Sequence, residues 1–297
     1  MAIVGSGAER RPPARKVPRR SRGAFPLPVL TALLVLAAVL VGSALFPLLH
    51  PGMANQNDLG GALQPPSPEH WMGTDQLGRD VLARFLAGAW VSMLVGAMVV
   101  VVGSVLGGLV GLIAGVTGGL VDILLMRLND ALLAFPSLML AMAVTIVRGP
   151  GLTSATIGVT LAGIPWFARV ARSEAMRLCA LPLMESCRAM GMTRTRMVTR
   201  HVLPHMFSGV LIQATSTYGT AILAVAGLGF LGLGAQPPTA EWGAMITSGL
   251  EPALAGEWWV ALFPGLGILL AVTALNVIAD WVRDVLDPRG LVGGGAR

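Results

Sequence analysis

Charged residues punctuate the chain and leave long uncharged runs between them. None occurs in Gly23 to Asn57, Phe85 to Val121, Ala131 to Val147, Gly149 to Ala168, Val202 to Ala240 or Trp258 to Ala279. The apolar part of the first run, Leu27 to Leu49, rises roughly 34 Å as a helix at about 1.5 Å per residue. That spans a hydrocarbon core of about 30 Å. The runs lack the two-residue alternation of membrane barrel strands. The pattern predicts six helical spans, near 27–49, 91–116, 128–147, 152–172, 207–233 and 258–281. The fourth is the least regular, since Pro165 interrupts it and Arg169 and Arg172 close it. The chain then divides into a basic tail (1–26), a first transmembrane helix (27–49) and an external loop (50–90). A five-helix core (91–283) with a loop at 173–206, and a tail (284–297), follow.

Composition sharpens this reading. Hydrophobic residues make up 54% and charged ones 12%, where a soluble protein averages about 25% charged. That excludes disorder and leaves too little charge to cover a water-facing surface. The class is an all-α, polytopic integral membrane protein.

Charge placement sets orientation. Lys and Arg concentrate on the cytoplasmic side of membrane proteins. With six spans and both termini inside, 18 of the 21 basic residues fall in the cytoplasm, and only Arg79, Arg84 and Arg148 lie outside. The leader alone supplies Arg10, Arg11, Arg15, Lys16, Arg19, Arg20 and Arg22. It reads as a tail touching anionic lipid, not as a nucleic-acid-binding arm.

The missing residues restrict the chemistry. A phosphate-binding GxxxxGK[ST] loop needs a lysine, and the single lysine, Lys16, precedes Val17. Neither GxSxG nor HExxH occurs, so two common hydrolase sites are absent. His201 and His205 have a metal-compatible spacing, but Pro204 lies between them and no carboxylate is near. Cys179 and Cys187 form no CxxC. No metal site is expected. An ion-coupled carrier usually has acids inside its spans; Asp122, Asp130 and Asp280 sit at span ends and read as interfacial salt bridges, the first two flanking Arg127, which leaves an ion-coupled secondary carrier as the less favoured alternative.

Two segments carry candidate function. After the fourth span, Met184, Cys187 and Met190 recur at helical spacing among arginines, up to Gly191. A short helix follows, suited either to a groove on a partner or to the lipid surface. In the fifth span, Gln213, Ser216, Thr217 and Thr220 fall on one face at i, i+3, i+4, i+7, with Thr215 and Tyr218 nearby. That stripe either lines a pathway or glues helices together. Gly227, Gly229, Gly232 and Gly234 suggest close packing or a helix break. Outside, Asp75, Arg79, Asp80 and Arg84 are expected on an amphipathic helix, with Asp80 and Arg84 either as a modest exposed ion pair or as part of a contact with a partner protein.

The spacing from Glu185 to Gly191, followed by Leu203-Pro204, resembles the EAA motif of permeases in ATP-binding-cassette (ABC) importers, with Ser186 and Cys187 where two alanines are usual. Further segments resemble the C-type subunit of the dipeptide, oligopeptide and nickel permease family. These are Gly73-Thr74-Asp75-Gln76-Leu77-Gly78-Arg79-Asp80, Met126 to Asp130 with Ala134-Phe135-Pro136-Ser137, and Phe230 to Gly234 with Gln236-Pro237-Pro238 and Trp242-Gly243. Phe263-Pro264-Gly265 and Arg283 to Arg289 complete the pattern.

The resemblance implies the type I ABC importer permease fold and a non-enzymatic subunit, in a multi-pass bacterial inner (plasma) membrane setting. The implied partners are a second, different permease subunit, two ATP-binding subunits that hold ATP and magnesium, and an extracytoplasmic solute-binding protein. This chain itself would bind no cofactor. Glu185, Ser186, Cys187, Ala189, Met190 and Gly191 would form the coupling helix that contacts an ATPase. Gly73, Thr74, Asp75, Gly78, Arg79 and Asp80 would be the external signature. Peptides are the implied cargo, with nickel or another small solute as the alternative. Val225 stands where the family often has glutamate, so a charge preference does not carry over.

Overall fold

The computed structural model describes residues 26–286. The basic leader and the terminal segment with Asp287, Pro288 and Arg289 lie outside the described residues. Ten helices follow one another: α1 (Leu27–Leu49), α2 (Val81–Thr117), α3 (Gly119–Leu133), α4 (Ser137–Arg148), α5 (Leu152–Cys179), α6 (Pro182–Ala189), α7 (Arg194–Met197), α8 (Leu203–Phe230), α9 (Trp242–Ala255) and α10 (Trp259–Leu286). A π turn at Val198–Val202 joins α7 to α8. Among the described residues there is no named strand, only a bridge between Thr74 and Asp80.

The bundle is organised around α2 against α5. Glycines recur along α2 at four-residue spacing and let the two backbones meet, as small residues do in membrane helices. A Cβ on Gly107 would come within 2.6 Å of Phe167 Cβ and the Ile164 carbonyl, and one on Gly111 would collide with the Ala168 carbonyl. Phe167, Ala168, Ala171 and Ala175 of α5 are buried in this seam. α8 closes one core against both helices, through Met206, Val225 and Leu228, with Val202 of the preceding π turn. α1, α9 and α10 close a second core around Trp242, Met93 and Ile222.

Two span expectations change. The third span, 128–147, is not one helix: α3 and α4 meet at 87°. Pro136 stands at the break with φ −54 and ψ 130; proline has no N–H with which to continue a helix and disfavours helix in the residue before it, Phe135. α4 has 12 residues, about 18 Å at 1.5 Å each, too short to cross alone. The fourth span is continuous through Pro165, as the 28-residue α5. Among the described residues, four helices are long and apolar enough to cross a membrane, or five if the bent pair counts as one. α5 is long enough but falls outside that set; Thr153, Ser154, Thr156 and Thr160 at one end and Arg169, Arg172 and Arg177 at the other dilute its hydropathy.

Candidate functional site

At one end of the bundle, α5 ends and the chain turns into α6. Pro182 opens α6 at a position where its missing N–H costs nothing. Met184 and Cys187 are 3% and 2% exposed and pack into the core with Met197 and Val202. The expected ridge of Met184, Cys187 and Met190 is therefore corrected. Its first two members anchor the helix, because residues three apart share the inward face, and Cys187 is not available to a partner. Cys187 Sγ also lies 3.9 Å from His201 Nε2. Leu183, Glu185, Ser186, Arg188, Ala189 and Met190 face outward, Met190 at 73% exposure. Gly191 adopts φ +76, and its N–H bonds the Arg188 carbonyl while Met192 N–H bonds that of Cys187. This left-handed stop needs glycine. Thr193 then caps α7 through Arg196 N–H.

The ion pairs near this end also differ from expectation. Asp122 and Asp130 do not pair with Arg127. Asp122 takes a two-pronged contact from Arg172 of α5, at 2.6 Å for both nitrogens. Asp130 accepts from Arg169 at 2.8 Å. Both bonds tie α3 to α5 across the bend. His205 is exposed, and its Nδ1 lies 2.7 Å from the His201 carbonyl one turn back.

Along α8, the polar stripe is half-buried, apart from exposed Thr220. Gln213 Nε2 donates to Thr217 Oγ1 at 3.0 Å. Thr217 and Ser216 donate to the Gln213 and Ile212 carbonyls at 2.8 and 3.0 Å. Thr217 and Thr220 open onto a cleft of about 180 Å³. Ser137 at the start of α4, Gly163 and Trp166 of α5, and Val99 of α2 form its other walls. No charged residue lines it. Gln213 and Ser216 do not reach this cleft. Tyr218 instead donates to the Met93 carbonyl at 2.8 Å, a helix-to-helix bond.

At the opposite end, residues 58–84 form a hydrogen-bonded knot, not the amphipathic helix expected there. Thr74 Oγ1 donates to the Gly61 carbonyl and accepts from Gln64 N–H at 2.8 Å. Gly73 and Gly78 have φ +74 and +70, and a Cβ on Gly78 would overlap the Asp58 backbone. Asp75 Oδ1 accepts from Leu77 and Arg79 N–H, and Oδ2 from Arg79 Nε at 2.7 Å. Arg84 Nε lies 3.5 Å from the same oxygen. The expected exposed Asp80–Arg84 pair is thus replaced. Asp80 caps α2 through Ala83 N–H and meets His70 Nδ1 at 2.8 Å. Asp75, Asp80 and Arg84 are each 6% exposed.

Glu241 anchors the start of α9 from inside the bundle. It is 1% exposed, caps α9 through Gly243 and Ala244 N–H, and accepts from Ser92 Oγ at 3.1 Å. Burial pushes its carboxyl up, against those three donors. A Cβ on Gly229 would meet its Oε2 at 2.5 Å, so Gly229 serves close approach while Gly232, at φ +75, turns the chain. An acid immediately before Trp242-Gly243 was the available signal, since acids favour helix N-termini.

Known proteins match this arrangement. The family described as binding-protein-dependent transport system inner membrane component matches residues 107–291. A putative peptide transport system permease protein of Brucella suis is 41% identical over 281 residues, 95% of this chain and 92% of that one. A dipeptide transport system permease protein of Alkalihalophilus pseudofirmus is 39% identical, covering 88% and 85%. A glutathione transport system permease protein of Escherichia coli is 43% identical, covering 75% and 74%. An inward-facing structure of the MetNI methionine ABC transporter shares the fold, with a TM-score of 0.54 at 22% identity, over 67% of this chain and 94% of that one.

Proposed function

The chain belongs to the family of binding-protein-dependent transport system inner membrane components, and from that premise we propose that it carries peptides inward through a route beside α8. As a member it is the multi-pass inner-membrane permease component of an ABC importer, and ATP hydrolysis belongs to separate subunits. The cleft that Thr217 and Thr220 share with Ser137 and Trp166, lined without charge, carries the cargo reading. The hydroxyls of Ser137, Thr217 and Thr220 there suit a zwitterionic chain of amides that must bind weakly and leave. A bare divalent cation needs carboxylate or imidazole donors, and the cleft has neither. The names of the relatives support the same cargo class.

The remaining assignments belong to this proposal. Both termini face the cytoplasm, so the α6 end is cytoplasmic and the Arg79 end external. α6 is the coupling helix, presenting Glu185, Ser186, Ala189 and Met190 to an ATPase subunit, with Gly191 setting its exit. A second, different permease subunit completes the route, two ATPases hold ATP and magnesium, and an external binding protein delivers cargo. No cofactor sits on this chain. The domain boundaries read from the sequence serve as its working division.

The test is uptake by the complete complex in proteoliposomes, with labelled dialanine compared with free nickel ion. ATP-dependent accumulation of dialanine that requires the binding protein is the expected result. Accumulation of free nickel and not of dialanine would overturn the cargo assignment.

A further inference from the structure

The knot at the Arg79 end leaves one imbalance. Arg79 and Arg84 share a single carboxylate, that of Asp75, and both Asp75 oxygens are already occupied by Leu77 and Arg79 donors. Two other acids stand near: Asp80 is committed to Ala83 N–H and His70, and Glu241, behind Gly229 and Ala244, to Ser92 and to the Gly243 and Ala244 N–H groups. Arg84 spends Nη1 on the Ala54 and Pro238 carbonyls, at 3.1 and 3.4 Å. These bonds fix its position without neutralising its charge. The two side chains are 11% and 7% exposed, and both line a pocket of about 220 Å³. Gln236, Thr239, Thr247 and Ser248 form part of its wall, and among the described residues no acid lines it.

A pocket with two largely buried guanidiniums and no acid in its wall is complementary to a carboxylate, which arginine grips through planar, paired hydrogen bonds. Its mouth is polar, since Gln236, Thr239 and Ser248 are exposed. It is separate from the cleft beside α8. Gly229, in its wall, stands nine residues beyond Thr220, about 13 Å along the helix, and faces another direction. Its volume suits one acidic side chain.

We propose that this pocket receives an acidic side chain of the external binding protein and fixes that protein's register on the permease. The proposal rests on the importer reading and its orientation. It makes Arg79 and Arg84 docking residues, and the signature Gly73 to Asp80 the scaffold that holds them.

The experiment measures binding of the complex's own solute-binding protein to the full transporter in nanodiscs, at low and high salt. Arg79→Gln removes one guanidinium. Ser248→Glu acts from the exposed rim and supplies an internal carboxylate, leaving both arginines and the knot in place. Each is expected to weaken binding by about tenfold at low salt, with a smaller loss at high salt, because such pairs are screened. Arg79→Lys should bind more tightly than Arg79→Gln. Wild-type affinity in both Arg79→Gln and Ser248→Glu would overturn the proposal. It would also be overturned if docking were unchanged while uptake of dialanine fell, which would make the pocket a cargo site. A wild-type transporter that binds no external protein at all would instead overturn the importer reading beneath it.

Discussion

The two ends of the bundle are built on opposite plans. At the Arg79 end, Asp75, Asp80, Arg84 and Glu241 are buried and hydrogen-bonded into one scaffold. Trp259 Nε1 ties α10 to it through the Thr74 carbonyl at 3.1 Å. At the α6 end, Arg188, Arg194, Arg196 and Arg200 are exposed, and α6 is held chiefly by Met184 and Cys187. Charges buried with partners are costly to disturb, whereas exposed charges contribute little to stability. The first end is closed by its own bonds. The second leaves a short helix presented outward, which is what the proposed coupling role asks of it.

The sharpest way to break this contrast is to find both ends on the same side of the membrane. With Cys179 and Cys187 replaced by serine, Ala62→Cys should react with an impermeant thiol reagent from outside, and Thr193→Cys should not. Labelling of both from outside, or of Thr193→Cys alone, would overturn the orientation. The next largest effect is energetic. Asp75→Asn leaves two largely buried arginines without their carboxylate, a loss of about 3–5 kcal/mol, read as a lower melting temperature of the purified complex. Arg188→Ala at the other end should cost within about 0.5 kcal/mol. Equal melting of the two variants would erase the difference in plan.

The α6 end should respond in coupling, not in stability. Gly191 has open space where a Cβ would stand, but its φ is +76. Gly191→Trp therefore adds local strain of about 1–3 kcal/mol and places an indole at the exit of the proposed coupling helix. Uptake should fall to a small fraction of normal while the chain still inserts and ATP is still hydrolysed. Normal uptake by this variant in the full complex would remove α6 from the coupling path.

These contrasts were unevenly legible in the sequence. The short helix ending at Gly191 was readable, because a glycine stop after an apolar i, i+3 pattern is a local signal. Which of its residues face inward was not. Met184 and Met190 have the same chemistry, and only the position of α7 and Val202 buries the first and leaves the second exposed. The break at Pro136 was available in principle, but the apolar run from Ala131 to Val147 concealed it, since hydropathy does not register direction. The knot around Asp75 was misread as a helix because Asp80 and Arg84 have helical spacing. Asp80 proves to be the cap of α2, and Asp75 reaches Arg84 only through the turn at Gly78. Turn geometry and long-range pairing are tertiary facts, and the i, i+4 pattern cannot report them.

The smallest expected change in stability separates the two readings of the α8 stripe. Ser216 and Thr217 donate to carbonyls four residues back in their own helix, so removing both hydroxyls leaves those carbonyls in their ordinary helical bonds. Polar contacts of this kind in membrane proteins average about 0.6 kcal/mol, and Ser216→Ala with Thr217→Val should cost about that much each. If the stripe were helix glue, that small loss would be the whole effect. The structure does not pair either hydroxyl with a neighbouring helix, whereas Tyr218 does make such a bond, to Met93. Thr217 instead opens onto the uncharged cleft with Ser137 and Trp166. The double variant should therefore assemble with its ATPases at normal yield and take up dialanine several-fold more slowly, while Tyr218→Phe should lower the melting temperature with a smaller effect on uptake. Unchanged uptake in the double variant would assign the stripe to packing and move the route to another face of the bundle.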